Sequence, residues 1–162
     1  NNASNKMIGL NGSDTMFGLR GDDNINGDER ADDLIGSAGN DVIKGGNGSD
    51  EIMGGNGSDG ISGGNGADEI VGGEGNNIIF GDNGSDTILG GSGNDVLIGG
   101  NGHDAIMGQL GNDKIYHGAM GTTASDGNKD VITCGEGNDE VWINTSIDGD
   151  EYNGQCESIH DG

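Results

Sequence analysis

One apolar residue returns at every ninth position through twelve consecutive repeats of this chain. The series reads Met16, Ile25, Leu34, Ile43, Ile52, Ile61, Ile70, Ile79, Ile88, Leu97, Ile106 and Ile115. Two residues ahead of each stands an acid or its amide: Asp14, Asp23, Asp32, Asp41, Asp50, Asp59, Asp68, Asn77, Asp86, Asp95, Asp104 and Asp113. Asn5 and Met7 hold the same two slots in a partial repeat before Gly9. The clearest copies, GGNGSDEIM (45–53), GGNGSDGIS (54–62), GGNGADEIV (63–71), GGSGNDVLI (90–98) and GGNGHDAIM (99–107), share the form Gly-Gly-x-Gly-x-Asp-x-apolar-x. The first six positions predict a turn, because residues without a β-carbon accept backbone angles closed to others. The last three predict a strand, whose alternation sends the eighth residue to one side and the seventh and ninth to the other.

Composition alone argues against a fold. Leu, Ile, Val and Phe make up thirty of 162 residues, aromatics are 3%, and the net charge is -23. Such a chain ordinarily buries too little and repels itself too strongly to become compact. Regular spacing of both the apolar residues and the acids reverses that expectation, since aligned carboxylates without counter-charge are suited to cations. The acidity makes nucleic acid and anionic membranes poor partners, and neither nucleic-acid binding nor membrane insertion is expected. No window of 18 apolar residues exists to span a bilayer, and no secretory signal peptide is present, although a mature chain would have lost one.

The nonapeptide resembles the repeat of the RTX (hemolysin-type) calcium-binding family. That resemblance implies an all-β chain, a right-handed parallel β-roll with two short-stranded parallel sheets and two nonapeptide repeats per coil. Residues 18 apart then stack, and six coils extend roughly 29 Å at about 4.8 Å each. The column of Ile, Leu and Met between the sheets is too thin to hold the fold alone. In RTX rolls, calcium lies between equivalent turns of neighbouring coils, bound by Asp side chains and turn carbonyls. An ion that takes six to eight oxygens in adaptable geometry suits this arrangement.

Carried over to this chain, the pairs on one edge are Asp14/Asp32, Asp32/Asp50, Asp50/Asp68, Asp68/Asp86 and Asp86/Asp104. The other edge offers Asp23/Asp41, Asp41/Asp59 and Asp95/Asp113, two weaker pairs sharing Asn77, and a weak Asn5/Asp23 pair. These add up to about eleven Ca2+ ions, whose charge of roughly +22 nearly cancels that of the chain. Departures from the pattern weaken particular turns: Arg30 in place of a glycine, Asn77 in place of an acid, and Leu19/Arg20 and Gln109/Leu110 in the outer repeats. The regular centre, 36–75, should bind best.

Ninth positions on one sheet are Phe17, Ile35, Met53, Val71, Leu89 and Met107, all apolar, and draw an outward stripe that is a candidate interface. The bland alternative is β-propensity or burial by neighbours. On the other sheet Ile8, Asn26, Lys44, Ser62, Phe80, Ile98 and Tyr116 are mixed. An ice-binding array would need rows of Thr, and that sheet offers only Thr15 and Thr87.

The roll is expected over 1–116 and a region of degenerate repeats and C-terminal cap over 117–162. HGAMGTTA (117–124) forms a loop, after which SDGNKDVIT and CGEGNDEVW restore the beat with Asp130 and Asp139 as further candidate metal ligands. Cys134 and Cys156 are the only cysteines. No CxxC or ligand-spaced His accompanies them, so a disulfide is expected, worth about 3 kcal/mol for such a loop and pointing to an oxidising compartment. RTX-like proteins often end in a similar CGxGxD…CE segment. At the other end the first coil has an open edge, used either by a longer chain or by a docking molecule, and head-to-tail contact there would propagate into filaments. Six Asn-x-Ser sequons (Asn2, Asn11, Asn47, Asn56, Asn83, Asn144) are mostly the turn phrase itself.

No catalytic constellation is read: His103, His117 and His160 are scattered, and glycine strings lack the helix a dinucleotide site needs. The expectation is a non-enzymatic, secreted or cell-surface calcium-binding roll with a structural role, folding on Ca2+ and partnering itself head-to-tail or laterally in filaments or layers. The alternative is a C-terminal RTX secretion and folding module of a secreted enzyme, toxin or adhesin.

Overall fold

A computed structural model describes residues 3–118, 127–143, 149–153 and 156–161. The loop expected over 117–124 lies outside these from residue 119 onward, as do Asn2 and Asn144. Among the described residues every regular element is a strand, seventeen in all, and no helix is long and apolar enough to cross a membrane. Strands alternate between two sheets, nine in one and eight in the other, and each pairs in parallel with the strand one coil ahead. Ile43 sits beside Ile61 and Ile61 beside Ile79 in one sheet, while Ile52 sits beside Ile70 and Ile70 beside Ile88 in the other. The expected period of two nonapeptides per coil is therefore the observed one.

Strands are longer than the sequence suggests. Val42–Asn47 and Glu51–Asn56 are each six residues, not three, because pairing resumes after the first glycine, at Gly46↔Gly64 and Asn47↔Asn65. Parallel ladders are made by backbone groups, and a Gly-Gly-Asn run can supply them as well as a β-branched one. The bend falls at the skipped first glycine, and the turn shrinks to about the Gly-x-Asp that follows. Third-position asparagines add a side-chain ladder along one edge: Asn65 donates to Asn47 (2.7 Å), Asn83 to Asn65 (3.0 Å) and Asn101 to Asn83 (2.8 Å).

Eighth-position residues from Ile25 to Ile115 are sealed from solvent in one file, which Ile132, Val141 and Ile143 extend. Met7 and Met16 are only partly buried against its end. Past Tyr116 the ladder absorbs eight extra residues: Ala105 pairs with Val131 and Lys114 with Glu140, 26 residues apart instead of 18. A Cys134–Cys156 disulfide then ties the eight-stranded sheet to the last strand of the nine-stranded one.

The ninth-position stripe is in register on the eight-stranded sheet, from Phe17 through Ile35, Met53, Val71 and Leu89 to Met107. Phe17 and Met53 are about half exposed; the other four are half-buried by their neighbours. A second row, read as mixed, becomes aromatic at its far end. Tyr116 stacks on Trp142 (centroids 4.4 Å apart) and Trp142 on His160 (4.6 Å), geometry that favours offset aromatic faces.

Candidate metal centres

Sixth-position acids do not point to solvent. Asp23 through Asp113 are each 1–2% exposed, and Asn77 is 1% exposed. Their alignment is set by the backbone: each N–H in this slot donates to Oδ1 of the residue one coil on. Asp32 donates to Asp50 (2.8 Å), Asp50 to Asp68 (2.8 Å) and Asp68 to Asp86 (2.9 Å) on one edge. Asp23 donates to Asp41 (2.7 Å), Asp41 to Asp59 (2.7 Å) and Asp95 to Asp113 (2.9 Å) on the other. All pairs named from the sequence are thus stacked neighbours, Asn5/Asp23 and the two that share Asn77 included.

The ladders run on beyond the regular repeats. Asp104 donates to Asp130 (2.8 Å) and Asp130 to Asp150 (3.0 Å), while Asp113 donates to Asp139 (2.8 Å) and Asp139 to Glu157 (2.8 Å). Asp150 and Glu157 were not picked out from the sequence. Their signal was faint: both stand two residues before a tail apolar residue, Tyr152 and Ile159, as the slot requires.

One carboxylate oxygen per acid remains. Oδ2 of Asp14, Asp23, Asp32, Asp41, Asp50, Asp59, Asp68, Asp86, Asp95, Asp113 and Asp139 is buried without a hydrogen-bond partner among the described residues. Each regular one faces the opening glycine of its own repeat, with a backbone carbonyl from the next coil alongside. A β-carbon at Gly54 would lie 2.5 Å from Asp59 Oδ2 and 2.6 Å from the Gly72 carbonyl oxygen; at Gly81 both distances, to Asp86 Oδ2 and Gly99 O, would be 2.5 Å. Only glycine leaves that cradle open. A buried anionic oxygen with no donor is costly, and here it converges on a carbonyl in an all-oxygen set, the chemistry a hard divalent cation requires. The residues therefore fit calcium. Gly72 differs, because the amide nitrogen of Asn77 faces its hollow.

Four segments, residues 1–29, 26–61, 62–97 and 80–115, match the RTX calcium-binding nonapeptide repeat and together span residues 1–115 of 162. The chain belongs to the RTX calcium-binding repeat family. Comparison with curated proteins found no match. RTX nonapeptides bind Ca2+, and this RTX roll presents its carboxylate oxygens where coils meet. When bound, the ion supplies positive charge to oxygens already aligned by the backbone. Turns lacking a consensus glycine keep the same path at a cost, since Leu19, Arg30 and Gln109 are held at φ of 74–80°, where side chains are strained.

Burial is also the main influence on acidity. It pushes the Asp86 carboxyl up to about 7, against the lowering pull of the Asp68 N–H and helped by the charges of Asp104, Asp68 and Asp82. Asp50, Asp59 and Asp113 rise to about 6 for the same leading reason. These folded values lie above the unfolded 3.8, so the metal-free roll holds protons more tightly than the unfolded chain. Its stability from this source is complete below about pH 4 and is lost as pH rises through 6–7. In calcium-free buffer, strand circular dichroism should therefore grow on acidification from pH 7.5 to 4. Because protons and calcium compete for the same oxygens, the calcium midpoint should rise at least several-fold between pH 7.5 and 5.5. A midpoint independent of pH would mean that these carboxylates are not the ligands.

Proposed function

We propose that this chain is a secreted, calcium-dependent structural roll of a cell surface or extracellular matrix, which assembles laterally with copies of itself. About eleven Ca2+ ions would fill the two ladders between Asn5 and Asp113, with Asp14 to Asp113 as the principal ligands, and the reading gives the chain no catalytic role. Support for an extracellular setting comes from the Cys134–Cys156 disulfide, a bond kept in oxidising compartments.

The observation that carries self-assembly is the apolar row Phe17, Ile35, Met53, Val71, Leu89 and Met107, unbroken across six consecutive strands of one sheet on a molecule of net charge -23. Contiguous apolar surface of that kind is characteristic of contact faces. Ion binding would bring such copies together by removing their repulsion. Sedimentation and electron microscopy in millimolar calcium should reveal polymers, and Val71→Glu with Leu89→Glu should return compact particles without loss of strand signal. Compact monomers of the unaltered chain at every concentration would overturn the assembly and favour a module of a longer secreted protein.

A further inference from the structure

The last coil interface of one ladder breaks the all-oxygen rule. In every regular repeat the opening residue is glycine, and its missing β-carbon keeps the hollow beside Oδ2 clear. At that slot after Tyr116 stands His117. Its backbone still does the glycine's work, since its carbonyl accepts from Gly100 N–H (2.8 Å) and lies against Gly99 beside Asp104 Oδ2. The imidazole is wholly buried, and neither ring nitrogen has a hydrogen-bond partner among the described residues. Nδ1 lies 3.3 Å from Asp150 Oδ2 and 3.7 Å from Asp130 Oδ2. Both carboxylates are buried too, at 4% and 0% exposed.

Those carboxylates are aimed before any ligand arrives. Asp130 Oδ1 accepts from the Asp104 N–H and Asp150 Oδ1 from the Asp130 N–H, which leaves both Oδ2 atoms on the imidazole side. One ligand atom from each of the three residues lies within 4.8 Å of the others. Tetrahedral ligands at bond lengths of about 2.0–2.2 Å stand about 3.3–3.6 Å apart, close to the two nitrogen–oxygen separations found. Nitrogen in the set also changes the preference: calcium takes oxygen, whereas imidazole with carboxylate suits zinc and neighbouring divalent d-block ions.

We infer that His117, Asp130 and Asp150 form a binding site for one divalent d-block cation of the zinc type, chemically distinct from the calcium ladder it terminates. The site joins the coil before the eight-residue insertion to the two coils after it, so the ion would pin the displaced coils to the regular roll. It stands on its own donor set and does not depend on the assembly proposed above.

The test uses the full chain folded in millimolar calcium and equilibrated with Zn2+ alone or Co2+ alone as the probe, followed by removal of unbound metal and elemental counting. One equivalent of Zn2+ per chain should be retained in excess calcium, and Co2+ should give the visible absorption of a four-coordinate nitrogen–oxygen site. His117→Gly restores the consensus residue and the open cradle; it should lower Zn2+ affinity at least tenfold while leaving strand signal intact. Asp150→Asn should lower it comparably. In the unaltered chain, Zn2+ should shift the nitrogen resonances of the His117 ring. Equal Zn2+ retention by the unaltered chain and His117→Gly would overturn the site. So would full displacement by calcium, or ring resonances that report an imidazolium between two carboxylates and do not respond to Zn2+.

Discussion

Removing calcium should unfold this protein, with loss of most of its strand circular dichroism and recovery when the ion is restored. The reason lies in what the coil interfaces would otherwise contain. Eleven carboxylate oxygens are buried without a hydrogen-bond partner among the described residues, and the chain carries -23. Against them the core offers a single file of mostly isoleucine and leucine, one side chain per strand through the regular repeats. Each uncompensated buried charge costs several kcal/mol, more than burial of one isoleucine contributes at about 1.5–3 kcal/mol. The balance favours the unfolded chain until cations arrive, which makes binding energy folding energy. Magnesium should substitute poorly, because it demands near-octahedral geometry and sheds water reluctantly. Circular dichroism and Trp142 fluorescence during a chelator titration give the measurement, and a strand signal that survives excess chelator would sink the account.

A second large effect is expected from one methyl group. Gly57 lies at φ 137°, and a β-carbon there would be driven into the Gly39 carbonyl of the preceding coil. That carbonyl cannot step aside cheaply, because hydrogen bonds from Gly39 N–H to Asn56 and from Gly57 N–H to Glu74 hold both strands in register. Gly57→Ala should cost about 3 kcal/mol, combining left-handed strain with overpacking, and should shift the calcium midpoint to higher concentration. Three residues on, Gly60 meets nothing within 4 Å and occupies a seventh position that other repeats fill with Glu, Thr or Val. Gly60→Ala should change stability by no more than about 0.5 kcal/mol. Thermal melts of both variants at fixed calcium decide the matter; equal losses would show that turn geometry is not the constraint.

Side-chain periodicity made the coil, the inward isoleucines and the acid slots legible, because each is a choice of residue type repeated at fixed spacing. Strand length was not, since the added half of each strand is Gly-Gly-Asn, whose pairing rests on backbone groups that leave no mark on residue choice. Asp150 and Glu157 were hidden for another reason. Asp150 stands 20 residues from Asp130, two beyond the regular step. Glu157 keeps the 18-residue step from Asp139 but puts Glu in place of Asp. Both lie in a tail whose glycine phrase has decayed. The Tyr116–Trp142 stack depends on the same 26-residue step. His117 looked like the first residue of a loop; only the stacked coils reveal it in a glycine's place.

The 18-residue offset between paired strands of the regular roll has a consequence at the level of the gene. Excising 18 codons, for 45–62, would place Lys44 directly before Gly63 and leave every later segment on its original side of the roll. Excising nine, for 45–53, would transfer everything downstream to the opposite side, parting Val71, Leu89 and Met107 from Phe17 and Ile35 and bringing Tyr116 and Trp142 to the side where Phe17 and Ile35 remain. Recombination between near-identical repeats can thus lengthen or shorten such a molecule by whole windings while its two faces keep their separate identities, whereas odd steps exchange them.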